Sequence, residues 1–279
     1  MALFRFTPAQ VLIALGLVVL IVLNVTPLAW GVLTSLKSGV EIARFPPSFF
    51  DFTPTLENYQ RVVEGGFLDN FRASLIYCAV SVFFVLLLAL PTAYAFDRFD
   101  FPFKNLLFTL IVACIPLSLG AAALLIPNYL YFSRLGITNT WLALPLIYTA
   151  HQLPMAIWIM KGAMESIPHE IDEAARIDGA TSLQLLVKII LPLSGPALGA
   201  TAVVAFIGCW NEFVASSVMV DNAALRPIQP AIYNFIGYFG REWGPLTASA
   251  TIAIVPVIIV FAFFGRLIVS GMTQGSVKG

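Results

Sequence analysis

Charge is what this sequence most lacks. Only 11% of its 279 residues are Asp, Glu, Lys or Arg, while 59% are hydrophobic. Soluble domains carry about 25% charged residues, and a water-facing surface cannot be assembled from so few. The mean hydropathy of +0.90 points the same way. Net charge is zero, with 15 basic and 15 acidic residues, which argues against a nucleic-acid partner. Cysteine is scarce as well. Cys78, Cys114 and Cys209 each lie in an apolar run with no CxxC pair or His cluster nearby, so neither metal nor disulfide is expected. No Gly-Lys dipeptide occurs, which removes the phosphate-cradling GxxxxGK[ST] loop. Nor does the chain offer a Ser-His-Asp set or a carboxylate pair for acid–base chemistry.

What is present is long apolar sequence. Charged residues are absent from 6–36, 73–96, 105–133, 135–160, 189–211 and 243–265, and each interval exceeds 20 residues. At about 1.5 Å per residue, each is long enough to cross a hydrocarbon core of about 30 Å as a helix. Their unbroken apolarity favours helices over the alternating strands of a barrel. Six transmembrane helices are therefore expected, with a short turn after Arg134 between the third and fourth. The first interval has Arg5 ahead of it, as a secretory signal would. It runs on through Leu36 with no small-residue cleavage site, which favours a retained helix. Orientation is open from charge, because the two sides would carry eight and seven Lys/Arg residues.

Polar sequence collects in 37–72, 164–188 and 221–242. The middle segment reads as two short helices around a glycine elbow. Ser166 is a candidate cap for a first helix with Pro168 in its opening turn, and Gly179 suits a left-handed stop. Thr181 with Gln184 makes a capping box for the second, and Pro192 should break or kink the chain on its way into the next apolar run.

Glu173-Ala174-Ala175, three residues, Gly179, nine residues, then Ile189-Ile190-Leu191-Pro192 resembles the EAA loop of ABC importer permeases at every anchor position. Trp210-Asn-Glu-Phe213 and the C-terminal stretch 271–279 are similar to the carbohydrate (maltose-type) importers, in particular their smaller six-span inner-membrane subunit. The resemblance covers essentially the whole chain. It implies an all-α integral membrane fold of the type I ABC importer permease, a single domain over 1–279. It also implies a coupling loop over 164–192 and extracytoplasmic loops over 37–72 and 221–242. The implied partners are a second permease subunit, two ATP-binding subunits that hold ATP and Mg, and an extracytoplasmic solute-binding protein. No cofactor is expected on this chain. The coupling loop docks on the ATPase in that family, so the implied location is the bacterial inner membrane with both termini cytoplasmic, the tail 267–279 reaching the ATPase. Glu173, Ala174, Ala175, Asp178, Gly179, Ile189, Leu191 and Pro192 carry the coupling role by this resemblance. Helical spacing independently sets Ile171, Ala174, Ala175 and Asp178 on one face, kept low by its alanines, with Glu173 and Asp178 offering charge to a basic partner. An ordinary amphipathic surface helix would share that spacing.

Polar residues inside apolar runs mark a candidate substrate path: His151 and Gln152 in the fourth, and Trp210, Asn211 and Glu212 in a fifth span expected at 195–219. A charge at the centre of a span costs about 2.5–3.5 kcal/mol on insertion scales, so Glu212 should face protein or water. It then either bonds a neighbouring helix or lines the path, and His151 is either a packing group or a ligand contact. Tyr233, Phe235, Tyr238 and Phe239 form a candidate binding-protein contact, with a segment packed on the bundle as the plain alternative. An ion-coupled secondary transporter is the rival function, but it would need an inverted repeat and paired acidic groups near the midplane.

Overall fold

The computed structural model describes residues 7–119, 122–237 and 240–274. The described chain opens with α1 (Pro8–Ser35), α2 (Gly39–Ala43), α3 (Glu57–Glu64) and α4 (Phe67–Arg98). It continues through α5 (Lys104–Leu119), α6 (Ala122–Arg134), α7 (Ala143–Met164), α8 (His169–Ile177) and α9 (Ser182–Leu185). A π-helical turn, Leu186–Ile190, leads into α10 (Leu191–Leu193), α11 (Gly195–Trp210), α12 (Val214–Met219) and α13 (Ile228–Ile232). A two-residue antiparallel pair, β1 (Ile236–Gly237) with β2 (Gly240–Arg241), precedes α14 (Trp243–Gln274).

Two compact units divide the chain, one made of residues up to Phe67 with Ile232–Ile254, the other of Leu68–Ala231 with the rest of α14. In the first unit α1 starts cleanly, because Thr7 and Gln10 form a reciprocal capping box ahead of Pro8. No part of its apolar window is buried. Its far end is closely tied. Asn58 donates to the carbonyls of Ser35 (2.9 Å) and Lys37 (2.8 Å), and a Cβ on Gly244 would overlap the Asn58 amide. Glu41 accepts from the Thr53 N–H (3.0 Å) and the Ser38 N–H (3.1 Å). Those two donors, Thr53 first, hold its carboxyl below the ordinary value of 4.5.

The second unit packs around one core. Val85, Ala89 and Tyr94 of α4 meet Ala156, Met160 and Met164 of α7, with Ala175, Leu185 and Ile190 from the α8–α10 segment. The short helices between α7 and α11 are therefore rooted in the same core as the long ones.

Several expected boundaries shift. By length and composition three described helices are able to cross a membrane alone, namely Pro8–Ser35, Phe67–Arg98 and Trp243–Gly265. A fourth candidate is the bent pair Ser182–Leu193 with Gly195–Trp210, which turns by 78°. The third apolar run, expected as one helix, comprises α5 and α6, each with an internal proline (Pro116, Pro127) that removes a backbone bond. The fifth, expected at 195–219, stops at Trp210 and resumes as α12. The last helix continues past Arg266 to Gln274, so its expected end moves outward, and the tail residues 275–279 lie outside the described residues.

Candidate functional site

The glycine elbow is built by local chemistry. Gly179 has φ +84, and its N–H reaches the Arg176 carbonyl (3.0 Å) while the Ala180 N–H reaches that of Ala175 (2.9 Å). This paired closure of a helix C-terminus needs a left-handed residue at that position, which glycine supplies without a Cβ penalty. On the other side Thr181 Oγ1 accepts from the Gln184 N–H, and the Thr181 N–H donates to Gln184 Oε1 (3.0 Å). Pro192 has no N–H for the Lys188 carbonyl. The preceding turn widens so that the Leu191 N–H bonds Leu186 instead, and the sharp bend follows at Ser194. Ser166 does not cap α8. Its hydroxyl donates back to Ala163 (2.7 Å), and Pro168 occupies the cap position.

The outward face of α8 differs from the face read from spacing. Ala175 is buried and Ile171 packs on the core, so these two point inward. Glu173, Ala174, Asp178 and Gly179 are exposed, and so are Leu191 and Pro192, while Ile189 is half-buried. Ile177 is 86% exposed and Leu183 is 70% exposed, two large apolar side chains presented beside the elbow. Periodicity had no means of separating them from core positions.

Sequence reasoning also missed what holds α8. Arg98, at the end of α4, has a side chain only 2% exposed. Its Nε donates to Asp172 Oδ2 (2.9 Å), its Nη2 to the Ile167 carbonyl (2.7 Å), and its Nη1 pairs with Asp97. The Tyr94 hydroxyl donates to the same Asp172 oxygen (3.1 Å). A buried ion pair of this kind is costly to break from one side, at about 3–5 kcal/mol. The first turn of α8 is thereby bound to the last turn of α4.

The candidate path residues are brought close together, though not as a single lining. Trp210 is 2% exposed, wedged between Phe71 (5.7 Å) and Phe206 (5.6 Å), so in this conformation it is core rather than wall. Asn211 is exposed. Glu212 accepts from the N–H groups of Ala215 (2.7 Å) and Ser216 (3.0 Å), so from the position before the Phe213 cap it satisfies free donors in the first turn of α12. His151 Nε2 is buried and has no hydrogen-bond partner among the described residues. The Gln152 amide lies directly over Gly208, where any Cβ would overlap it. Apart from these, an apolar cavity of about 670 Å³ runs between α4 and α7, lined by residues such as Phe84, Trp141 and Leu146. Tyr233 is exposed and Phe235 half-buried, while Tyr238 and Phe239 lie outside the described residues. No group of three or more metal-binding side chains occurs among the described residues.

Residues 61–274 match the family model described as binding-protein-dependent transport system inner membrane component. The chain is 32% identical over 276 residues to the sulfoquinovosyl glycerol transport system permease protein SmoH of Agrobacterium fabrum, covering 99% of this chain and 93% of that protein. It is 31% identical over 278 residues to the trehalose/maltose transport system permease protein MalG of Thermococcus litoralis, covering 97% of each. A chain of a bacterial ABC transporter that imports the acidic polysaccharide alginate superposes with a TM-score of 0.79 at 22% identity, covering 94% of this chain and 98% of that one.

Proposed function

The chain belongs to the binding-protein-dependent transport system inner membrane components, and from that premise we propose that it carries a carbohydrate or glycoside across the membrane as one half of a heterodimeric pore. It is a multi-pass inner-membrane transport subunit and not an enzyme, since ATP hydrolysis in such importers belongs to separate subunits. The substrate class rests on two full-length relatives named for a glycoside and for disaccharides. No observation favours the ion-coupled alternative.

The carrying observation is the exposed elbow on a buried root. Glu173, Ala174, Ile177, Asp178 and Leu183 face outward around Gly179, while Asp172 and Ala175 fasten the same helix inward. In this reading two ATP-binding subunits hold ATP and Mg and receive the α8–α9 elbow. Their closure moves it, and α4 follows through Arg98. A solute-binding protein delivers substrate on the opposite side, with Tyr233 and Phe235 in its contact. The elbow is cytoplasmic, and both termini lie on that side. His151, Gln152 and Glu212 border the path, with Glu212 acting through the first turn of α12, whose N–H groups it binds.

Gly179→Asp tests the coupling assignment. The side chain is strained at φ +84 whatever space is available. Uptake by the assembled transporter should fall to background while membrane insertion is unchanged, and uptake by the parent should persist with an uncoupler. Full ATP-driven transport by Gly179→Asp would remove the elbow from the mechanism.

A further inference from the structure

The segment after α1 carries a group of aromatic side chains that nothing in the transport cycle uses. Phe45 is 92% exposed, Phe50 84% and Phe49 56%, with Val40 exposed beside them. Isolated exposed apolar residues are unremarkable on any surface, but a cluster of this size calls for an occupant.

Its position identifies the occupant. Phe49 packs edge-on against Trp30 with ring centroids 4.7 Å apart. Trp30 lies inside α1, five residues before its end at Ser35, or about 7.5 Å along the axis. The segment therefore folds back alongside the last turns of the first apolar helix instead of standing away from them. Every charge near the cluster is answered within the segment. Lys37 is buried, bonded to the Ser48 carbonyl and set over the rings of Trp30 (4.4 Å) and Phe52 (5.0 Å). Glu41 is held by Ser38 and Thr53, and Arg44 pairs with Asp51 at 3.6 Å. What faces outward is three phenylalanine rings beside one exposed ion pair, Arg44–Asp51 (side chains 55% and 89% exposed), a mix of apolar and charged groups that suits the depth at which a membrane-crossing helix leaves the hydrocarbon. Phenylalanine has no polar tip, and it holds a segment at that boundary by burying its apolar ring just below the headgroups while the neighbouring charges stay in water.

We propose that Phe45, Phe49 and Phe50 form a membrane-interfacial anchor that seats the segment 40–50 in the lipid headgroup region beside α1. The proposal rests on α1 crossing a bilayer, and on neither the substrate class nor the orientation of the chain. The anchor holds the end of α1 and the buried Lys37 cluster at fixed depth while other helices move.

The test places a polarity-sensitive fluorophore on a single cysteine at position 45, 50 or 60 of the assembled transporter, with Cys78, Cys114 and Cys209 replaced. Gln60 is the exposed reference on α3. Proteoliposomes carry phosphatidylethanolamine and phosphatidylglycerol with a nitroxide lipid in both leaflets, labelled at the headgroup or at an upper acyl carbon. Quenching at 45 and 50 should exceed that at 60 by about twofold or more, and addition of loaded binding protein should leave it unchanged. Phe45→Ser with the fluorophore at position 50 should still assemble yet show quenching reduced toward that at 60. Equal quenching at all three sites would overturn the anchor. So would quenching relieved by the binding protein, which would make the cluster a protein contact. A failure of sugar uptake in these variants would bear on the transport reading and not on the lipid contact.

Discussion

At the scale of single residues, the most consequential position is one without a side chain. Gly208 on α11 lets the Gln152 amide of α7 lie across the helix, and small residues serve this purpose widely where membrane helices pack. Gly208→Ala should force the amide aside and destabilise the subunit by about 1–3 kcal/mol, the usual cost of overpacking. Substituting Gln152→Ala in the same chain should recover most of that loss. The double-mutant cycle, read by thermal unfolding in detergent, should then show strong coupling. Additive effects would mean that the two side chains do not compete for one space. Glu212 gives a second residue-scale lesson. A carboxylate in an apolar run suggests a functional charge, yet both oxygens here receive backbone donors from the turn that follows. The helix has broken just where its polar residues cluster, and the charge closes the break.

At the scale of elements, the junction of α4 with α8 decides whether the elbow transmits force. Helix α8 has nine residues, too few to be stable alone, so its orientation comes from its inward contacts. Asp172→Ala would leave Arg98 buried with only Asp97 beside it, at a cost of about 3–5 kcal/mol. The expected outcome is an assembled transporter with basal ATP hydrolysis retained and uptake cut about tenfold or more, with faster amide exchange confined to α8. Asp172→Glu should retain part of the coupling. Unchanged exchange in α8 would show that apolar packing alone secures it. The elbow and the junction also mark what was legible beforehand. Gly179, the Thr181–Gln184 box and the Pro192 kink are local: each is written within a few residues and needs no tertiary partner. Arg98 and Asp172 are 74 positions apart, and neither stands out in sequence, since one looks like a helix-end charge and the other like a surface acid. The burial of Trp210 is hidden in the sequence for a related reason. Its aromatic neighbours Phe71 and Phe206 include one from a distant helix, and burial of that kind leaves no periodic trace. Ser166 failed because a hydroxyl in that position had two carbonyl or amide choices, and the preceding helix won.

At the scale of the second unit, its two ends constrain the path of the chain between them. One end is tied by Asn70 Nδ2 to the carbonyls of Ala223 (3.1 Å) and Arg226 (2.8 Å), and by Asn139 Oδ1 to the N–H of Asp221 (2.6 Å). The start of α4, the turn before α7 and the end of α12 therefore lie together. The other end is tied by Arg98 to Ile167 and Asp172, so the end of α4 and the start of α8 lie together. Phe101, just past α4, packs on Phe96 (5.5 Å), and Lys161 of α7 sits over Phe108 of α5 (5.0 Å), which roots α5 at this second end. Helix α6 finishes at Arg134, five residues before Asn139 at the first end. Helices α5 and α6, each too short to cross a bilayer alone, are placed to traverse the unit together, which is the arrangement expected here. With α4, α7 and the α11–α12 pair this supports four passes, and α1 and α14 add two by their own length. The expected consequence is alternating exposure in intact cells. A cysteine replacing Asp100 should be reached by an impermeant thiol reagent only from the side of the elbow, and one replacing Leu135 only from the opposite side. Labelling of both from one side would make α5 and α6 a re-entrant hairpin, reduce the passes to five and put the elbow and the N-terminus on opposite faces of the membrane.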